Sequence, residues 1–65
     1  MKGITTERAL QNGKNFIREN KPHTAFQFLK LARRMAQDEG REHIVSEVDA
    51  IMSAAYFKAM FRAPI

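Results

Sequence analysis

Cysteine is absent from all 65 residues. That excludes disulfides, thiolate metal sites and thiol catalysis together. Glycine-rich phosphate loops are absent too, because Gly3, Gly13 and Gly40 stand alone. The most apolar stretch, Ile44 to Phe61, is broken by Glu47, Asp49 and Lys58. It falls short of the roughly 20 apolar residues that a membrane span requires. The opening MKGITTERAL has neither the apolar core nor the cleavage site of a signal peptide. No membrane partner and a cytoplasmic location are therefore expected.

Reactive constellations are equally scarce. His23 and His43 are the only histidines, each in the first turn of a predicted helix. Neither has an evident nucleophile at helical spacing, and Ser46 three residues after His43 is a commonplace surface pairing. Glu39 and His43 share a face only if a helix runs unbroken through Gly40, and two mixed ligands do not close a metal site. The sequence points away from an enzyme and implies no metal or cofactor.

What remains is a short helical chain. No segment alternates apolar and polar residues for long, so the periodicity is that of helices. Thr5 or Thr6 can cap a first helix running to about Glu19. Leu10, Gly13, Phe16 and Ile17 line one side of it. Gly13 costs about 1 kcal/mol against alanine inside a helix, and a close helix–helix contact is the simplest compensation. Asn20-Lys21-Pro22 ends that helix and starts a second over 22–38, with Ala25, Phe28, Leu29, Ala32, Met35 and Ala36 as its stripe. So short a turn makes the pair an antiparallel hairpin.

Acidic residues are unfavourable at a helix C-terminus, so Asp38-Glu39-Gly40 predicts a break. A third helix over 42–62 follows, with Ile44, Val48, Ile51 and Ala55 as its inner stripe. The alternative is one long arm from Pro22 to Phe61. The fold class is all-α: a helical hairpin plus a third helix, completed as a bundle by dimerisation.

The third helix carries the main functional signal. Met52, Tyr56, Phe57, Met60 and Phe61 cannot all face one inner stripe, and with Ile51 they are the expected interface residues. Methionine and aromatic side chains are favoured at protein interfaces. A chain this short rarely draws more than about 3–5 kcal/mol from its own core. A homodimer closed by these residues is the leading expectation, and a different protein partner the next. Central packing of helix 3 between helices 1 and 2 is the competing structural explanation.

Charge marks a second surface. Residues 1–40 hold eight Lys/Arg against four Asp/Glu, while residues 41–65 hold three against three. Lys30, Arg33 and Arg34 lie opposite the stripe of helix 2, with Phe26 one turn earlier and Lys14, Arg18 and Lys21 adding charge nearby. Such a face suits phosphates or an acidic partner. Residues 32–51 do not make a major-groove reader, since Glu42, Glu47 and Asp49 would repel phosphate. Nucleic acid is the less favoured partner.

Residues 9–37 resemble one tetratricopeptide helix pair. Gly13 and Phe16 match its G-x-x-Y element, Ala25 and Leu29 its A-x-x-x-F element, and Ala32 follows at the usual distance. Asn12 and Gln37 depart from the pattern, and no second copy follows, because Glu47 falls at the glycine position. The match therefore implies hairpin packing rather than a peptide-binding array. In size, charge and the hairpin NFIRENKPHTAFQFLKLARRMA, the chain also resembles small helical proteins from the exo-xis region of lambda-like bacteriophages. That resemblance implies a host cytoplasm and a regulatory role through host or phage proteins.

Overall fold

A computed structural model describes the backbone of residues 3–61 and the side chains of residues 3–57. It consists of α1 (Thr6–Arg18), α2 (Pro22–Asp38) and α3 (Glu42–Phe61). The sequence boundaries hold to within a residue. The side chains of Met60 and Phe61, and the expected last residue Arg62, lie outside the described residues.

Each start and stop has a local cause. Thr5, in extended geometry, caps α1: its hydroxyl accepts from the Arg8 amide at 3.1 Å. Pro22 opens α2, where its missing N–H is no loss. The two ends are built alike. Asn20 (φ 67°) and Gly40 (φ 71°) both sit in the left-handed region. Behind them Lys21 N–H reaches Phe16 C=O and Arg41 N–H reaches Ala36 C=O, each at 2.8 Å. Asn20 N–H to Ile17 C=O at 3.0 Å and Gly40 N–H to Gln37 C=O at 3.1 Å complete two Schellman closures. The break at Gly40 is thus a helix end with its carbonyls satisfied, and the single long arm does not form.

α1 and α2 pack as the hairpin, and α3 lies along α2 while only brushing α1. The central helix is therefore α2. The alternative that placed helix 3 between the other two is corrected: α2 is the one clasped from both sides. The core joins Ala9 and Leu10 of α1, Leu29, Ala32 and Ala36 of α2, and Ile44 and Val48 of α3. Small side chains dominate where α1 meets α2, so those helices come close. A Cβ added to Gly13 would lie 2.5 Å from Leu29 Cδ2 and 2.7 Å from its Cγ. Phe16 and Phe28 stack beside this contact with centroids 5.5 Å apart.

The result is long and flat, 43 × 25 × 12 Å, with a radius of gyration of 12.3 Å. A compact chain of about this length has roughly 10–11 Å.

Two substitutions test the packing. Gly13→Ala gains about 1 kcal/mol of helix propensity. Against this, it overpacks a fully buried leucine, at a cost of about 1–3 kcal/mol. The conflict includes Cγ as well as the leucine tip, so net destabilisation is expected as a lower urea midpoint. A higher midpoint would mean that Leu29 moves aside freely. At Gly40 an added Cβ meets nothing within 4 Å, so Gly40→Ala feels only the left-handed backbone. A loss of about 1–2 kcal/mol is expected. A gain would mean that α2 and α3 join as one helix.

Candidate functional site

The apolar residues of α3 separate by direction. Ile44 and Val48 are buried, and Val45, Ile51 and Met52 are half-buried against the same core. Ile51 and Met52 therefore spend much of their surface inside their own chain. Tyr56 and Phe57 are the exposed pair, at 58% and 56%. At 100° per residue Phe57 falls on the far side of α3 from Ile44. Along that far side run Ser46, Ala50, Ser53 and Phe57, all exposed. The small members of this line were not legible as a surface, because serine and alanine carry little apolar signal.

The basic residues also separate. Arg33 Nε donates to Asp49 Oδ1 at 2.7 Å, tying α2 to α3. This bond, and then the nearby carboxylate charge, raise the Arg33 guanidinium pKa further. Lys14 Nζ lies 2.9 Å from Glu47 Oε2, tying α1 to α3. Lys30 and Arg34 remain exposed, and neither has an ion-pair partner among the described residues. Phe26 is half-buried against the core and does not interleave with them. Of the three basic residues read from the sequence, two stand open to solvent and the third is engaged within the chain.

A polar clip closes the other end of the molecule. Thr6 is buried, and its hydroxyl faces both Glu39 carboxylate oxygens, at 2.9 and 3.0 Å. Arg41 donates to Glu39 at 3.1 Å and also to Glu7. The start of α1 is thereby fastened to the α2–α3 turn. Glu39 and His43 lie on either side of the Gly40 break, and Glu39 is committed to the clip. Among the described residues no three His, Cys, Asp or Glu gather as metal ligands. A shallow concavity beside Ile4, Glu7, Arg8 and Gln11 is open to solvent. It contains no nucleophile paired with a base.

No described helix is long and apolar enough to cross a membrane. Compared with known proteins, the chain matches no family model, no curated protein and no solved structure. Two surfaces stand open to solvent: the side of α3 that carries Tyr56 and Phe57, and a smaller basic patch of Lys30 and Arg34 on α2.

The clip makes an acid prediction. The hydrogen bond from Arg41, followed by one from its own backbone amide, holds the Glu7 carboxyl below the usual carboxylate range. Its contribution is present above the unfolded carboxylate value and is lost as pH falls through the depressed folded value. Glu7→Gln should therefore flatten the fall of the denaturation midpoint on acidification. Identical acid limbs in the two proteins would remove Glu7 from the account. The effect should be small and should shrink in salt, because the pair is exposed.

Proposed function

We propose that the protein is a small, non-catalytic protein–protein interaction module. It acts as a homodimeric regulator or adaptor that associates through α3. The observation that supports this best is the exposure of Tyr56 and Phe57, at 58% and 56%, on a helix already apolar on its inner side. Soluble monomers seldom leave neighbouring large aromatics so open without an interaction to serve. Met60 and Phe61 extend the same apolar sequence. A host-cytoplasm setting with phage or host proteins as further partners rests on the resemblance of the chain to small phage early-region proteins.

A nucleic-acid-associated role is the second reading, favoured by one observation: Lys30 and Arg34 are exposed and uncommitted. Arg33 contributes less to it, since Asp49 already neutralises its charge. Two cations on one helix face give modest, salt-sensitive phosphate attraction.

Light scattering across a concentration series, at low and high salt, tests the first reading. A dimer in both salts is expected. Phe57→Glu should shift it to monomer while leaving the helical circular-dichroism signal intact, because the replaced side chain is exposed within the chain. Lys30→Glu with Arg34→Glu should leave the mass unchanged. A monomeric wild type would defeat the dimer. Tight nucleic-acid binding lost in the Lys30/Arg34 variant would favour the second reading.

A further inference from the structure

α3 runs back along α2 from the tight turn at Gly40. On one flank the Arg33–Asp49 pair, at 2.7 Å, fixes how the two helices register. Moving away from the turn by three and then seven residues, each helix returns to that flank. The same steps bring Lys30 level with Met52, and Phe26 level with Tyr56. Phe26 and Met52 are half-buried against the core, and Tyr56 is 58% exposed. Together they floor an apolar strip between α2 and α3.

The edges of this strip differ in charge. Its α2 edge is Lys30 with Arg34 one turn further on, both exposed and without an ion-pair partner among the described residues. Its α3 edge is the exposed, uncharged Ser53. Asp49 is taken up by Arg33, and Glu47 is held on the other flank by Lys14. Asp38 and Glu42 sit at the turn, at the opposite end from Phe26 and Tyr56.

We propose that this strip is the docking site for an acidic amphipathic helix of another protein. The proposal rests on the interaction-module reading above, but not on the dimer. A furrow between two packed helices accepts a third helix by the same ridge-and-groove geometry. The apolar side of that helix covers Phe26, Met52 and Tyr56. Lys30 and Arg34, about 6 Å apart along the axis, meet carboxylates one turn apart on the guest. Tyrosine suits such an anchor, being large, stiff and polar only at its tip. A second copy of the chain is a poor guest. Five of its seven carboxylates are already paired internally, and the other two are those at the turn. Nucleic acid would engage the two cations but leave Phe26 and Met52 uncovered.

The probe is a synthetic helical peptide with a leucine stripe flanked by glutamates. A second peptide carries lysines in place of the glutamates. Each is titrated into the isotope-labelled full chain and followed by amide NMR shifts. The acidic peptide should move the amides around Phe26, Lys30, Met52 and Tyr56, and the lysine peptide should not. Lys30→Glu with Arg34→Glu should weaken the acidic peptide by about tenfold and let the lysine peptide bind instead. Tyr56→Ala, exposed within the chain, should weaken the acidic peptide by about tenfold while the helical signal stays intact. No shifts up to about 1 mM acidic peptide would overturn the proposal. So would equal binding of both peptides, or shifts centred elsewhere. Tighter binding of single-stranded DNA through the same residues would give the strip to nucleic acid and equally defeat it. Failure of the peptide in a chain that light scattering shows to be a dimer would remove this site alone. Failure in a chain that is also monomeric would remove the interaction reading with it.

Discussion

The backbone of Gly13 against the side chain of Leu29 is the contact on which the other helices depend. A glycine within α1 lowers its intrinsic helicity, and nothing local repays that. Leu29 does, by settling where a Cβ would otherwise stand and becoming fully buried at the middle of α2. Once α1 and α2 are this close, the alanines at 9, 25, 32 and 36 suffice to fill the space between them. A close hairpin is also a thin one. Its core offers few large side chains, and Ile44 and Val48 must come from α3 to complete it. The third helix is thus needed by the hairpin along its inner side only, and the outer side is left to solvent.

The two turns explain how three short helices hold their places with so little core. Each ends in a left-handed residue with two amide bonds back onto the helix it closes. Each also passes within one or two residues into the next helix, so neither behaves as a loose loop. The Thr6–Glu39–Arg41–Glu7 clip then fixes the start of α1 to the second turn. Both helix reversals and the free end of α1 are therefore held by directional bonds. That relieves the apolar core of the task of specifying topology, which a core that is half alanine would perform poorly.

Backbone chemistry was legible in the sequence, and the sorting of surfaces was not. Thr5, Pro22, the Asn20-Lys21 step and the acidic Asp38-Glu39-Gly40 joint each act through local geometry, so the three helices and their ends follow from residue type. Gly13 was legible as a close contact for the same reason, since a costly residue needs a compensation. Side chains that reach across helices were a different matter. Arg33 reads as one of three basic residues on a helix face, yet Asp49, sixteen residues on, takes it up. Met52 reads as part of an outward apolar cluster, yet it leans on the core beside Ile51 of the inner stripe. Periodicity assigns a residue to a side of its own helix. It does not say which neighbour stands there.

The ion pairs matter here for direction more than for energy. Exposed pairs such as Lys14–Glu47 and Arg33–Asp49 contribute little to stability, and less in salt. Yet α3 carries these acids within three residues of one another, in the first half of the helix. One is drawn toward α1 and the other toward α2, so the helix presents a neutral strip outward without losing its solubilising charge.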